Sequence, residues 1–280
     1  MTDAPFVLIQ RHTDGETAPL QGQSPSHANA ELSLQSIVTV RLNRPQQMNL
    51  LTRGMINALK EAIASLGADK TVGVIVLAAE GKAFCAGHDL KDMHGQPQPD
   101  VEELFASCAE LMEQVRLCPK PVIAQVQGVA VAAGCQLVAS CDLAMAADTA
   151  RFGTTGIKAG LFCSSPMVPL SRLVSPKKAL EMLMTGEVIS AQVAEKNGLI
   201  NHAVPGEALE AETLKLAAQI ARHSQWALAL GKSAFYQQLE LPMKEAYDVG
   251  WRTMAHNAGA PDGQEGFAAF LEKRPPRYTQ

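Results

Sequence analysis

The sequence predicts an α/β protein with a mostly parallel sheet, followed by a helical C-terminal region. Residues 72–79 and 121–126 are almost continuously apolar, which is typical of strands buried on both faces of a parallel sheet. Amphipathic helices over 53–66 and 101–117 alternate with these strands, and strand–helix–strand repetition favours right-handed parallel crossovers. Beyond residue 175 the pattern becomes mostly helical.

The remaining elements follow from the same periodicities. Further strands are predicted over 6–10, 36–42 and 143–147, and a short one over 200–204. The segment between the first two strands is rich in Gly, Pro, Ser and Thr, which predicts a mobile loop or an insertion. The C-terminal helices are predicted over 176–185, 190–197, 206–223, 225–239, 242–258 and 263–272.

These patterns divide the chain into three parts. Residues 1–34 hold an N-terminal strand with the loop, 35–205 form the α/β core, and 206–280 form a helical association region. Charged residues make up 19% of the chain, below the roughly 25% of an average domain. The deficit indicates extra buried surface, either inside the chain or between subunits.

Composition also excludes several classes of protein. A net charge of −4 gives no reason to expect nucleic acid or an anionic membrane surface as a partner. Residues 121–141 are uncharged and long enough to span a bilayer, but three glutamines and two glycines interrupt them. A buried strand, a turn and a buried helix therefore fit this segment better than a membrane span.

The cysteines and the N-terminus point to the cytoplasm. None of the six cysteines forms a C-x-x-C pair and no histidine pair completes a zinc spacing, so no metal site is predicted. Scattered cysteines in apolar surroundings are typical of a reducing compartment. The first residues, MTDAPFVLIQ, show no basic region followed by a long apolar stretch, and hence no signal peptide.

Two glycine-containing turns follow the apolar strands. One is Cys85–Asp89, and the other is Gly128–Gln136, which leads into a predicted helix over 138–144. Both lie beyond the carboxyl ends of strands, where ligands bind in open α/β sheets. Neither has the spacing of a P-loop or of a dinucleotide fingerprint.

Such turns can hold two backbone N–H groups close to one point and form an oxyanion hole. A helix N-terminus adds partial positive charge at that point. A hole of this kind stabilises the enolate or tetrahedral oxyanion of a thioester carbonyl, and small residues keep side chains out of the thioester's path. The simpler alternative is that the small residues serve packing alone.

Five ordered segments are similar to motifs of a known family. They are LNRPQQMNLL (42–51), GKAFCAGHDLKDM (81–93), GVAVAAGCQLVASCDLAMA (128–146), the segment 184–191 and DGQEGFAAFLEKRPP (262–276). Over roughly residues 35–275 the chain resembles the crotonase superfamily of enoyl-CoA hydratases and isomerases. The resemblance implies a crotonase-type ββα spiral core with a helical C-terminal region that forms trimers or dimers of trimers.

The resemblance also implies the ligand and its contacts. The ligand would be an acyl-CoA thioester, with no cofactor other than the coenzyme A that is part of the substrate. The backbone N–H groups of His88 and Ala133 would form the oxyanion hole. Lys82 and Lys91 would contact the CoA phosphates, unless they are ordinary solvated lysines. The remaining CoA contacts would be Gln46, Gln47, Met48 and the backbone of Ala86, His88, Asp89 and Leu90, with Phe270 and Lys273 reaching the CoA of a neighbouring subunit.

The sequence departs from the family at both catalytic glutamates. The hydratases use one glutamate where this chain has Gln136 and a second where it has Gly156. An amide cannot accept a proton near neutral pH, and a glycine has no side chain. Hydratase activity is therefore predicted to be weak or absent.

Other chemistry remains open from the sequence. His88 titrates near neutrality, and a histidine at this position resembles the methylmalonyl-CoA decarboxylases of the superfamily, whose reaction forms an enolate. Cys163 would be a nucleophile for thioester hydrolysis if its thiol were activated, and otherwise a small apolar residue at a helix start. The third alternative is a non-catalytic acyl-CoA-binding or regulatory protein.

Overall fold

The computed structural model describes residues 4–12 and 36–279, and these residues form two β-sheets surrounded by helices. Most of the predicted loop or insertion between the first two strands lies outside the described residues. The strands are β1 (Val7–Arg11), β2 (Ile37–Leu42), β3 (Val74–Ala79), β4 (Ala83–Cys85), β5 (Val122–Val126), β6 (Val129–Val131), β7 (Leu143–Ala147), β8 (Arg151–Gly153), β9 (Val188–Ser190) and β10 (His202–Val204).

The larger sheet has six strands in the order β1-β2-β3-β5-β7-β10. Neighbouring strands from β2 to β10 are parallel, and β1 is antiparallel to β2, with Val7 opposite Leu42. Every residue of β3 and β5 is buried, as their continuous apolar runs predict. The α/β class with a mostly parallel sheet is thus confirmed.

The smaller sheet, in the order β4-β6-β8-β9, was not predicted. Strands β4, β6 and β8 are parallel, while β9 is antiparallel to β8. Each contains only three residues, too few for a two-residue alternation to be recognised. The second glycine-containing segment therefore includes strand β6, and the first begins at the last residue of β4.

Ten α-helices occur in the described ranges. The predicted helix over 138–144 was wrong, because the helix there begins at Ala133 and ends at Ser140. All eight of its residues are buried, so it has no polar face whose period could mark its limits. The helices are α1 (Arg53–Ala68), α2 (Gln98–Leu117), α3 (Ala133–Ser140), α4 (Met167–Leu173), α5 (Pro176–Thr185), α6 (Ala191–Lys196), α7 (Leu209–Ala221), α8 (Gln225–Gln238), α9 (Met243–Gly259) and α10 (Pro261–Glu272).

The helices cover the larger sheet on both faces. On one face α1, α2 and α3 bury their apolar residues with those of both sheets in the main core. On the other face α7 packs through Leu209, Leu214 and Ala217 against residues of β2, β3, β5 and β7. A helix after the boundary predicted at residue 206 thus contributes to the core.

The last three helices expose apolar side chains. Among the described residues of α8 and α9, none is buried. Several large apolar side chains on α8, α9 and α10, or directly after α8, are at least half exposed. They are Phe235, Leu239, Met243, Tyr247, Trp251, Met254, Phe267, Phe270 and Leu271.

A partly buried ion pair attaches α8 to the core. Lys232 Nζ lies 2.6 Å from Asp142 Oδ2, and Tyr236 donates its hydroxyl proton to Asp142 Oδ1 at 2.9 Å. Asp142 also accepts the N–H of Val122 at 2.7 Å, which holds the start of β5. The carboxylate that follows α3 therefore connects the sheet to the C-terminal helices.

No described helix has the length and apolarity needed to cross a membrane. The uncharged segment 121–141 is divided among β5, β6 and α3, as a strand followed by a turn and a buried helix would require. The six cysteines all lie within the described ranges, where they are buried and form no disulfide.

Candidate functional site

The site lies at the carboxyl ends of three parallel strands of the smaller sheet. Strands β4, β6 and β8 run side by side, so their carboxyl ends meet at the same edge. His88 follows β4, Ala133 follows β6 and Thr154 follows β8. This is the edge at which open α/β sheets bind ligands.

The turns after β4 and β6 are in direct contact. Gly87 has a φ of +96°, a conformation that favours glycine, and a Cβ there would lie 2.9 Å from the Cβ of Ala132. The same Cβ position lies 3.5 Å from the backbone nitrogen of Ala133. Gly87, the residue before His88, therefore lies beside the amide of Ala133. Glycine is required at 87 because of its positive φ and because a Cβ there would be too close to Ala132.

Ala132 carries backbone strain at this junction. Its φ of 51° and ψ of −121° are rarely adopted by residues with a side chain, at a cost on the order of 1–3 kcal/mol. Two hydrogen bonds maintain this conformation. Its N–H donates to Gly153 O at 2.9 Å, and its carbonyl accepts the N–H of Gln136 at 3.1 Å. The strained residue places the first amide of α3 beside Gly87.

The other two glycines of the second segment serve backbone packing. A Cβ at Gly128 would lie 2.0 Å from Lys82 O, and a Cβ at Gly134 would lie 2.1 Å from Cys85 O. Both neighbours are backbone atoms, which cannot rotate away. These two glycines therefore allow β6 and α3 to approach β4, which agrees with the packing alternative.

The two amides predicted to form an oxyanion hole have no protein acceptor within the described ranges. The N–H groups of His88 and Ala133 donate no hydrogen bond there, whereas nearby Ala86 donates to Met48 O at 3.1 Å. Ala133 is the first residue of α3, where the helix dipole adds partial positive charge. Two unpaired N–H groups from adjacent turns can bind a carbonyl oxygen.

Three residues that flank this junction in the chain each have a buried side-chain atom that lacks a protein partner among the described residues. The atoms are His88 Nε2, Gln136 Oε1 and Thr154 Oγ1. Burial lowers the pKa of the His88 imidazole to about 4, and the ring packs edge-on against Phe105 with 5.3 Å between centroids. His88 is therefore neutral near pH 7, contrary to the expectation that it titrates there. Thr154 was missed from the sequence, where a threonine after an unrecognised strand gives no signal.

Gly156 and Cys163 are in contact. The N–H of Gly156 donates to Cys163 Sγ at 3.3 Å, and a Cβ at position 156 would lie 2.8 Å from that sulfur and 2.6 Å from Leu161 O. The backbone at 156 is thus closed to any side chain, including a glutamate. Burial raises the pKa of the Cys163 thiol, so it is not an activated nucleophile.

The segments predicted to contact CoA are adjacent in space. The turn containing Gln46, Gln47 and Met48 lies beside Ala86, whose N–H bonds to Met48 O at 3.1 Å. The side chains of Lys82 and Leu90 are exposed, as are those of Gln46, Gln47, Met48 and Lys91, and that of Asp89 is half-buried. Asp89 Oδ1 accepts the N–H of Lys91 at 3.0 Å, so this side chain helps to form the turn.

Asn49 holds this turn in place and was missed from the sequence. It is fully buried with a φ of 52°, a conformation that asparagine tolerates better than most residues. Its side chain donates to Glu80 O and Ala83 O at 2.8 Å each and accepts the N–H of Arg44 at 2.8 Å. Its place in the motif LNRPQQMNLL was the available signal.

Phe270 and Lys273 are not brought to this site within one chain. Phe270 is 83% exposed near the end of α10, and Lys273 follows that helix with a φ of 57°. Helix α10 packs on α8 and α9 rather than on the smaller sheet. Within 4–12 and 36–279, no group of three or more His, Cys, Asp or Glu side chains is arranged to hold a metal ion.

The fold and the two facing turns define a class of protein, and the sequence comparison gives the same class. A profile of the family described as enoyl-CoA hydratase/isomerase matches residues 33–280. The chain therefore belongs to the enoyl-CoA hydratase/isomerase family, and its crotonase-type fold is confirmed.

Individual relatives show which members of the family this chain is similar to. The chain is 43% identical over 266 residues to the mouse protein named enoyl-CoA hydratase domain-containing protein 3, mitochondrial, covering 95% of this chain and 89% of that protein. The crystal structure of the human protein of that name has a TM-score of 0.85 at 44% identity, covering 87% and 96% of the two chains. A Mycobacterium smegmatis enoyl-CoA hydratase structure has a TM-score of 0.88 at 45% identity, covering 98% and 99%. The likeness to the domain-containing-protein-3 group, which the runs 132–142 and 160–164 carry, is confirmed, while the cytoplasmic location stays a prediction.

Proposed function

We propose that this protein binds an acyl-CoA thioester and polarises its carbonyl group with the backbone N–H groups of His88 and Ala133. The contact between Gly87 and the start of α3 carries the proposal, because it brings the turns that hold the two unpaired amides together. Donors fixed in this way need no reorganisation when negative charge develops on the thioester oxygen. Backbone strain at Ala132 reduces stability, and the need to hold the first amide of α3 beside Gly87 accounts for it.

The CoA moiety extends from this hole along the turn that contains Gln46, Gln47 and Met48. The exposed backbone and side chains of this turn are available to the adenine and ribose. Lys82 and Lys91, both exposed, are available to the phosphates. Coenzyme A is then part of the substrate, and no further cofactor is required.

Hydration of an enoyl thioester is not the chemistry that these residues support. Gln136 cannot act as a general base, and a glutamate cannot occupy position 156 without displacing Leu161 and Cys163. Each general acid or base contributes a factor of roughly 10² to 10⁴ in rate. Loss of both predicts hydratase activity that is weak or absent.

The alternatives differ in how well the site supports them. The raised pKa of the Cys163 thiol disfavours a thioesterase that uses this cysteine as nucleophile. Decarboxylation of a malonyl-type thioester needs the oxyanion hole but no glutamate, so the missing carboxylates do not argue against it. Because His88 is neutral, its side chain offers no positive charge to the carboxylate that leaves as CO₂. A non-catalytic acyl-CoA-binding protein would use the same hole for recognition alone.

We also propose that the exposed apolar face of α8, α9 and α10 forms the contacts of a homotrimer or a dimer of trimers. Tyr247, Trp251 and Met254 on α9 are each more than half exposed, more apolar surface than a single helix of a monomer usually presents. Phe270 and Lys273 would then reach the CoA of a neighbouring subunit. Sedimentation of a monomer at micromolar concentration would contradict this assignment.

Replacement of Ala133 by proline tests the oxyanion hole directly. Proline is well tolerated at the first position of a helix, but its ring carbon replaces the amide hydrogen, so Ala133→Pro removes one donor and also places an atom in the proposed hole. We expect affinity for butyryl-CoA to fall by more than the roughly 5- to 10-fold value of one hydrogen bond to the thioester oxygen, with affinity for free CoA unchanged. Arg53→Pro at the first position of α1 is the matched control and leaves both affinities unchanged.

The reaction itself is sought with a panel of enoyl-, malonyl- and saturated acyl-CoA esters, followed by mass spectrometry, with binding measured in parallel. A thioester that is consumed identifies the chemistry, and binding without turnover supports the non-catalytic alternative. Equal loss of butyryl-CoA and free CoA affinity in Ala133→Pro, or no loss of either, would contradict the proposed hole.

A further inference from the structure

Two turns that are proposed to contact CoA lie against each other. Residues 44–48 form the first turn, and residues 80–82, between β3 and β4, form the second, which carries the exposed Lys82. Gly81 has a φ of +80°, and a Cβ there would lie 2.6 Å from the Cβ of Pro45. The backbones of the two turns are therefore in close contact, although they are distant in the sequence.

The side chain of Asn49 bonds to both turns. Its Oδ1 accepts the N–H of Arg44 at 2.8 Å. Its Nδ2 donates to Glu80 O and Ala83 O at 2.8 Å each, so both amide protons are used. The side chain is fully buried, and it therefore joins the first turn to the backbone on either side of the second.

A second side-chain amide, that of Gln127, holds the turn 80–82. Gln127 lies between β5 and β6, and its Nε2 donates to Ala79 O and Gly81 O at 3.0 Å each and to Ala83 O at 3.2 Å. Two amides from distant segments thus fix the backbone on both sides of the lysine of this turn.

The same unit continues into the segment that carries the proposed oxyanion hole. Met48 O accepts the N–H of Ala86 at 3.1 Å, and the N–H of Leu51 donates to Gly87 O at 2.8 Å. Asn49 lies between these two hydrogen bonds in the chain, and its φ of 52° turns the backbone there. The turn 44–48 is therefore attached both to the turn 80–82 and to the segment after β4.

Building on the proposed function, we infer that Asn49 and Gln127 are positioning residues for CoA: their amides hold Lys82 and the turn 44–48 in the arrangement that binds the phosphates and the adenosine. Asn49 is fully buried, so it acts through the turns and not by touching the ligand. Turns that are already ordered need no ordering when CoA binds. Ordering the backbone of even one residue on binding lowers affinity by roughly 10-fold.

The substitution Asn49→Gly tests this role, because glycine keeps the positive φ and removes the amide. Calorimetry on the full chain should show affinity for free CoA and for butyryl-CoA falling by the same factor, ~10-fold or more. Asn201→Gly is the matched control. The Asn201 side chain accepts the N–H of Ala144 at 2.8 Å, so this variant loses a long-range amide hydrogen bond beside β7 and leaves both affinities unchanged.

A double-mutant cycle with Lys82 distinguishes positioning from a general loss of stability. Lys82→Ala is expected to reduce affinity for free CoA by ~5-fold or more in the wild type, because a charged donor to a phosphate is lost. In the Asn49→Gly background the same change is expected to reduce affinity by ~2-fold or less, because a lysine on a loose turn contributes little. Residues without such a connection give effects that multiply.

The outcomes separate this inference from the proposed function. If Asn49→Gly binds free CoA as tightly as the wild type, or if its effect and that of Lys82→Ala multiply, the positioning role is wrong while acyl-CoA binding stands. If the wild type binds neither free CoA nor butyryl-CoA, the proposed function is wrong as well. Thermal unfolding identifies the folded variants, and Gln127→Leu takes the place of Asn49→Gly in the cycle, with the same expected result, if Asn49→Gly does not fold.

Discussion

The close contact between α3 and β4 predicts a large effect for the substitution Gly134→Ala. A Cβ at position 134 would lie 2.1 Å from Cys85 O, 2.7 Å from the carbonyl carbon and 2.8 Å from the Cβ of that residue. Ordinary contacts between heavy atoms begin at about 3.5 Å. The added methyl group therefore requires α3 and the end of β4 to separate by about 1 Å or more.

The magnitude follows from the atoms involved. Overpacking a core usually costs about 1–3 kcal/mol, and the lower values occur where a flexible side chain can move aside. Cys85 presents mainly backbone atoms here, so we expect the free energy of unfolding to fall by about 3 kcal/mol or more. The same separation moves Ala133 away from Gly87, so acyl-CoA affinity should fall even in the protein that remains folded.

Urea unfolding and calorimetric binding of butyryl-CoA measure the two effects. Gly231→Ala is the matched control, because no atom of the described residues lies within 4 Å of a Cβ at this position in the interior of α8. Alanine there should raise the free energy of unfolding by about 0.5–1 kcal/mol through its higher helix propensity. If the two variants were equally stable, the argument that Gly134 exists for backbone contact would be refuted.

Two further predictions concern other residues of the site. Gly156→Glu places a carboxylate where the resemblance predicts the family's second glutamate. It is expected to destabilise the protein and give no crotonyl-CoA hydration, because the side chain has no space beside Leu161 and Cys163. Thermal unfolding measures the stability of the variant, and a spectrophotometric assay measures its hydratase activity. A stable variant with hydratase activity would contradict this prediction. His88 has a lowered pKa of about 4 against 6.5 in the unfolded chain, so its contribution to stability is present above pH 6.5 and is lost as the pH falls towards 4. The linkage is worth about 1.4 kcal/mol per pH unit, so the free energy of unfolding of the wild type should fall by about 2 kcal/mol more than that of His88→Gln between pH 7 and 4.5. Urea unfolding across this pH range measures the difference, and an equal fall in the two proteins would contradict the prediction.

Long apolar segments could be assigned from the sequence because each pattern of apolar residues corresponds to one kind of buried element. The fully buried strands β3 and β5 have no polar alternation, and amphipathic helices such as α1 and α5 bury one face only. These patterns gave the α/β class and most helix positions to within a few residues. The segment Gly128–Gln136 could be marked as a site segment in a similar way, because its lack of bulky and charged residues is visible without coordinates.

Short elements and close contacts could not be assigned in this way. Three-residue strands such as β4 and β6 are specified by pairing with distant segments, and a buried helix such as α3 has no polar face to mark its ends. The roles of Gly128 and Gly134 depend on carbonyl groups more than 40 residues earlier in the chain. Thr154 and Asn49 matter because of what surrounds them, which no local pattern records.

By itself, the sequence determined the class of fold and the family resemblance, and it predicts that both family glutamates are replaced, because these depend on residue identity and local periodicity. The tertiary structure decided that Gly156 is closed to a side chain, that His88 is neutral, and that buried polar atoms of His88, Gln136 and Thr154 have no partner in the described part of the chain. The physical reason is that steric space, desolvation and hydrogen-bond satisfaction are set by neighbours distant in sequence, and only folding brings those neighbours together.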